Sequence, residues 1–204
     1  MPQYKLTYFD FMALGEPIRY LFSYGGVKFE DNRIDRAKMW PKLKPSMPFG
    51  QMPVLEIDGH TYHQTLPICF YLGKQFNIAG KTDLDSLRIS AIANTIHDFR
   101  KAASLAWLEP NPEIKSQKTE ILLKETYPYY MQRFETDVKN NGGYFHGGEL
   151  SYADLFFAAL YGHFNTLLDT DVLKDYPALK QLVDKVHALP RIAEWVAKRP
   201  KTKI

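Results

Sequence analysis

The chain has 204 residues, 45% of them hydrophobic and 24% charged, with a formal net charge of +3. That length suits one large domain or two small ones around a sizeable core, and the composition is ordinary for a soluble globular protein. The charge is too small to argue for a nucleic-acid partner, no apolar run reaches a membrane span, and MPQYKLTYFD lacks the basic-then-apolar layout of a signal peptide, so the expected setting is the cytoplasm.

Tyr4–Tyr8 alternates and is rich in β-formers, which predicts a strand. From Gly15 to Tyr24 a helix follows, with Ile18, Leu21 and Phe22 on one face, Glu16 and Pro17 at its start and Gly25-Gly26 as its stop. Lys28–Ile34 reads as a second strand. A loop holding Pro41, Pro45, Pro48, Gly50 and Pro53 comes next. Val54–Ile57 and His60–Tyr62 flank Asp58-Gly59, a strong hairpin signal. Thr65 is placed to cap a helix with Pro67 in its first turn and Leu66, Cys69, Phe70 and Leu72 along its apolar positions.

Residues 78–83 read as a linker. Beyond it the apolar period is helical over Leu84–Leu105, Ser116–Val138, Ala153–Leu168, Pro177–Leu189 and Ile192–Ala197. Ser151-Tyr-Ala-Asp154 is a capping-box pattern with Asp in place of Glu. The order predicts an α/β unit over 1–78 followed by an all-helical unit over 84–204. The closing Lys198-Arg-Pro-Lys-Thr-Lys203 reads as a solvated basic tail.

Ligands of open α/β sheets bind beyond the carboxyl ends of the parallel strands, where Tyr8 falls. Its phenol is either a strand aromatic packed on the core or a hydrogen-bond donor that favours a nearby thiolate. Gln64-Thr65 opens a helix whose free N–H groups suit an anion, and Thr65 is otherwise an ordinary cap. Trp40 and Lys44 either flank the proline loop inertly or hold a second carboxylate. A cis Met52-Pro53 bond would turn the Met52 backbone outward to pair with an extended peptide-like ligand. The single cysteine, Cys69, excludes an internal disulfide and sits among core positions. Six histidines show no metal-ligand spacing, so no metal is expected.

Tyr4-Lys-Leu-Thr-Tyr-Phe9, Gly15-Glu-Pro-Ile-Arg19, Pro48–Gly59, His63-Gln-Thr65, Ser151–Asp154 and the closing Trp195…Lys-Arg-Pro-Lys-Thr-Lys together resemble the cytosolic glutathione S-transferases, collinearly over the whole chain. The sigma class, which includes glutathione-dependent prostaglandin D synthases, is the branch they resemble most. The resemblance implies a thioredoxin-like N-terminal domain, an all-α C-terminal domain and a homodimer. It implies that Tyr8 donates to the glutathione sulfur and that Met52, with Pro53 in cis, pairs with the cysteinyl unit. Gln64 and Thr65 would hold the γ-glutamyl carboxylate, and Trp40, Lys44 and Gln51 would reach the glycine end. Asp98 of the partner subunit would meet the γ-glutamyl amine. The hydrophobic acceptor would lie against Phe9, Leu14, Leu105, Phe156, Leu160 and Ile204.

Three positions depart from the family pattern. Thr65 replaces the usual Ser but keeps the hydroxyl. Phe70 replaces an Arg, removing a local ion pair, and Leu14 replaces the Arg of prostaglandin-synthase-like members. The implied activity is conjugation of the glutathione thiolate to hydrophobic electrophiles, such as lipid-peroxidation aldehydes or aryl halides, in detoxification. Glutathione-dependent prostaglandin isomerisation or peroxide reduction is the enzymatic alternative. A ligand-binding or crystallin-like structural protein is the non-enzymatic one.

Overall fold

The computed structural model describes residues 2–202. Strand β1 (Tyr4–Phe9) lies at the middle of a four-stranded sheet ordered β2-β1-β3-β4, with β2 at Glu30–Ile34, β3 at Val54–Ile57 and β4 at His60–His63. β2 runs parallel to β1 with Tyr8 opposite Arg33, whereas β3 is antiparallel to β1 and β4 to β3. The β3–β4 turn has positive φ at both Asp58 (48°) and Gly59 (83°), as a tight two-residue hairpin requires.

Helix α1 (Glu16–Gly25) connects the two parallel strands and ends where Gly26 adopts a left-handed conformation. The proline-rich segment is more ordered than the expected loop. It carries a short helix, α2 (Trp40–Leu43), and two further 3-10 turns. Pro53 stands one residue ahead of β3, outside the ladder, where a missing N–H costs little.

Helix α3 (Thr65–Gln75) begins one residue earlier than the Thr65 cap implied. Gln64 occupies the cap position and gives no side-chain cap bond. The Thr65 hydroxyl instead donates to the Leu14 carbonyl at 3.3 Å. The expected linker is held in place: the Ile78 carbonyl accepts from the Tyr152 N–H at 2.8 Å, and the Ala79 carbonyl accepts from the Ser86 hydroxyl at 2.6 Å.

Helices α4 (Asp83–Trp107), α5 (Pro112–Ile121), α6 (Tyr127–Asn140), α7 (Tyr152–Leu168), α8 (Pro177–His187) and α9 (Pro190–Lys198) form the second half. The helix expected over Ser116–Val138 is two helices joined by a π-turn at Leu122–Thr126. Pro128 accounts for the widened turn, since a proline inside a helix lacks the N–H and crowds the carbonyl four residues back.

Helix α7 is the hub, with 13 of its 17 residues buried, as a helix apolar on all sides must be. Its start is fixed by Asp154, which is buried. One carboxylate oxygen accepts from the N–H and hydroxyl of Ser151, both at 2.7 Å, and the other from the Phe145 N–H at 2.8 Å. Burial pushes this carboxyl up, against hydrogen bonds that favour its ionised form. One continuous core runs from Leu6, Ile18 and Phe22 through Leu72 into Phe99, Phe157 and Leu182, so sheet and helices share an interior.

The tail is not simply solvated. Arg199 Nη1 and Trp195 Nε1 both donate to Glu16 Oε1 at 2.8 Å, and Arg19 donates to Glu16 Oε2 at 3.1 Å. Glu16 and Arg19 are fully buried, and Arg19 also reaches Asp31 at 2.9 Å. Among the described residues no helix is long and apolar enough to cross a membrane.

Candidate active site

Between the sheet half and α4 lies a cavity of about 970 Å³. This is at the upper end of the usual size of small-molecule sites, about 300–1,000 Å³. It is bounded by the end of β1, the proline-rich segment, the start of α3 and one face of α4.

Tyr8 is carried there by the central strand and is only 5% exposed. Its ring fits because residue 15 is glycine: a Cβ at that position would come within 2.5 Å of Tyr8 Cδ1. The Tyr8 oxygen accepts a hydrogen bond from the Leu14 N–H at 3.3 Å, so its own proton remains to be donated elsewhere. Burial pushes the phenol up to about 12, opposed by the Leu14 hydrogen bond and by Arg100, Arg19 and Arg36. The group is therefore a neutral donor at physiological pH. Tyr8 stands just behind the wall of the cavity, which its neighbours Phe9 and Leu14 line.

Gln51, Met52 and Pro53 line the same cavity, and the Met52-Pro53 bond is cis. Trp40 lines it too and packs edge-on against Phe9 at 5.3 Å. The exposed Lys44 side chain lies over Gly50, where a Cβ would meet its Cε at 3.3 Å, and reaches the rim rather than the wall. Gln64 adopts φ 74° and ψ 120°, a conformation that L-residues rarely take. It presents the uncapped start of α3 to the cavity, together with Thr65 and Leu66.

The expected acceptor residues are not gathered in one place. Phe9 and Leu14 line the cavity. Phe156 and Leu160 are fully buried in the interior around α7, Leu105 is 57% exposed on α4, and Ile204 lies outside the described residues. Asp98 is exposed on α4 and takes no part in its own chain's cavity. Cys69 is buried, and burial pushes its thiol well above the ordinary value.

Sequence reasoning missed the basic side of the cavity. Arg36, His63, His97, Arg100 and Lys101 line it, and none of the described lining residues is acidic. Ser90, Asn94, His97 and Lys101 recur at helical spacing along α4, a polar stripe that could have marked this face. Phe70, one of the departing positions, also lines the cavity and meets Tyr152 edge-on at 6.3 Å.

Residues 4–74 match the glutathione S-transferase N-terminal domain and residues 97–199 match the glutathione S-transferase C-terminal domain. The chain is 43% identical to glutathione S-transferase S1 of Drosophila melanogaster over 98% of this chain and 80% of that one. It is 39% identical to hematopoietic prostaglandin D synthase of Rattus norvegicus over the full length of both. The solved structure of prostaglandin synthase D of Nilaparvata lugens superposes with a TM-score of 0.94 at 43% identity, covering 98% of this chain and all of that one. The chain belongs to the glutathione S-transferase family. It is thus a transferase enzyme with that family's fold, in a family that uses glutathione as co-substrate.

Proposed function

We propose that this chain is a sigma-class glutathione transferase that ionises the glutathione thiol beside Tyr8 and transfers the sulfur to hydrophobic electrophiles, lipid-peroxidation aldehydes and aryl halides among them. The observation that carries this reading is the Tyr8 hydroxyl: buried, held by the Leu14 N–H, and still possessing its proton next to a cavity with no acidic wall. The thiol proton leaves to solvent, Tyr8 donates to the sulfur, and the thiolate attacks the electrophilic carbon. The new carbon–sulfur bond forms as a halide leaves or as an unsaturated carbonyl takes up a proton.

In this reading the glycine end of glutathione meets Trp40, Gln51 and the ammonium of Lys44, and the Met52 backbone pairs with the cysteinyl unit ahead of Pro53. The γ-glutamyl carboxylate sits on Gln64, Thr65 and the first N–H groups of α3. The Thr65 hydroxyl is engaged by the Leu14 carbonyl, so the backbone N–H groups carry more of that contact than the resemblance implied. Asp98 serves the partner subunit of a homodimer. Exposed Asp98, and a Phe49 ring that is 85% exposed, are what a paired surface would cover. We place the division between the two domains at 78–84. A single buried thiol, Cys69, and use of glutathione favour the reducing cytoplasm.

Relatives named prostaglandin D synthase favour a second reading, isomerisation by the same thiolate, whereas Leu14 in place of an arginine argues against it. A panel of aryl halide, unsaturated aldehyde, hydroperoxide and prostaglandin H2, each run with glutathione, distinguishes the two. Replacing Tyr8 with Phe and titrating the bound thiol by thiolate absorbance tests the shared step. Loss of a hydrogen bond to a charged acceptor, about 1.5–3 kcal/mol, corresponds to a rise of roughly one to two pKa units. An unmoved thiol would remove Tyr8 from the mechanism.

A further inference from the structure

Resting on the transferase reading, we propose that Arg100 is the cation that stabilises the glutathione thiolate in this chain, opposing from α4 the negative charge that Tyr8 contacts from the sheet. Leu14 supplies a backbone N–H to the Tyr8 oxygen but no charge. Arg100 and Leu14 line the same cavity.

The guanidinium is mostly enclosed and poorly partnered. Nη1 donates to the Ser104 hydroxyl at 3.3 Å, and Nε is buried without a hydrogen-bond partner. Among the described residues no carboxylate pairs with it. A guanidinium cannot shed its proton to escape burial, so an uncompensated one in a cavity marks a place for an anion.

Three arginines act on Tyr8, and the other two are otherwise disposed. Arg19 is held by Glu16 and Asp31, and Arg36 is exposed and lies over the Phe9 ring at 5.7 Å. Arg19 also lies over the Tyr8 ring at 5.9 Å, but its charge is compensated by its two carboxylates; Arg100 acts on the phenol from α4 without such a partner, and Tyr8 acts on Arg100 in return. The remaining neighbours leave that field intact. On α4, His97, Asp98 and Lys101 flank Arg100 in sequence, with His97 and Lys101 facing the cavity and Asp98 turned to solvent. On α7, His163 is 4% exposed, and burial lowers it to about 4, with Arg100 adding to the effect, so it stays neutral. A sulfur against the Tyr8 hydroxyl therefore lies in a positive field with no acidic group of this chain's cavity wall to cancel it.

The test is a thiolate-absorbance titration of glutathione bound to the native protein and to Arg100→Met, Arg100→Gln and Arg100→Lys, with glutathione affinity measured alongside by calorimetry. An opposite charge at close range is worth about one pKa unit or more. Arg100→Met and Arg100→Gln are expected to raise the bound-thiol pKa by about that much. The corresponding loss in kcat/KM is about tenfold below the thiol pKa and shrinks above it. Arg100→Lys keeps the pKa nearer the native value. Glutathione affinity measured below the bound-thiol pKa changes little, whereas above it the neutral variants bind more weakly in step with the pKa shift. An unmoved thiol pKa in the neutral variants overturns the proposal, as does a loss confined to KM for acceptors that carry a carboxylate. If the native protein binds no glutathione, the transferase reading falls with it. If it binds glutathione and the variants titrate alike, only the role of Arg100 falls.

Discussion

Arg199, near the end of the chain, donates to the carboxylate of Glu16 at 2.8 Å across 183 positions of sequence. Glu16 is fully buried and also receives Arg19 and Trp195, so one carboxylate ties α1 to α9 and to the segment that follows it. Removing it leaves Arg19 buried with less compensation. Glu16→Ala is expected to cost about 3–5 kcal/mol, as when one partner of a buried ion pair is deleted. Arg199→Leu should cost less, because that side chain keeps some solvent. Urea unfolding of both variants and the double variant measures the coupling, and additive costs would show that the pair contributes nothing of its own.

The phenols set the alkaline limit of stability. Burial pushes Tyr8, Tyr20 and Tyr152 each up to about 12 from an ordinary value of 10.0. Between those values the unfolded chain releases protons that the folded chain keeps. The contribution of these phenols is therefore full below pH 10 and is lost as pH rises through about 12. For catalysis the same shift means that Tyr8 remains a donor through pH 10. Phenolate absorbance of the native protein minus that of Tyr8→Phe should show no ionisation in that range; a transition near 10 would contradict the burial seen here.

His163, with His97 and His187, whose imidazoles burial also lowers, contributes to the acidic limit. Neither ring nitrogen of His163 has a hydrogen-bond partner, and burial lowers its imidazole to about 4. Below the ordinary value of 6.5 the unfolded chain takes up a proton that the folded chain refuses. The contribution is present above pH 6.5 and is lost as pH falls toward 4. His163→Leu should raise stability at pH 5 by about 1 kcal/mol or more, since it removes buried unsatisfied polar atoms, and should flatten the profile between pH 6.5 and 4. Thermal unfolding across that range checks both.

Cys69 is expected to be inert in the folded protein. It is buried, and its thiol is held protonated by that burial. A thiol reagent should label it only on unfolding, in step with loss of helical circular dichroism; rapid labelling of native protein would place it in a different environment.

Much of this fold could be read from local chemistry. Asp58-Gly59 announced the β3–β4 hairpin, and the capping pattern at Ser151–Asp154 announced the start of α7. The π-turn ahead of α6 was missed although Pro128 marks it, because the apolar period runs on through the break. Periodicity also could not say which side of α7 meets the cavity. The helix is buried all round, so Phe156 and Leu160 pack inward while Phe9 and Leu14 reach the wall. The positive φ of Gln64 at the α3 start, Glu16 with Arg199, and Arg100 acting on Tyr8 are unusual backbone or relationships between distant segments, to which no local pattern points.

The pinned carbonyls of Ile78 and Ala79 bear on how the molecule breathes. A connecting segment whose backbone is bonded to α4 and to the start of α7, above a core shared by both halves, is a poor hinge. The halves have little freedom to swing apart without breaking that interior. Access to the cavity then depends on its rim, where the segment that carries Trp40 and Lys44 is held by local backbone hydrogen bonds and by ring contacts such as Trp40 on Phe9. The opening that this bonding leaves to the molecule is a local rearrangement of one segment instead of a domain motion.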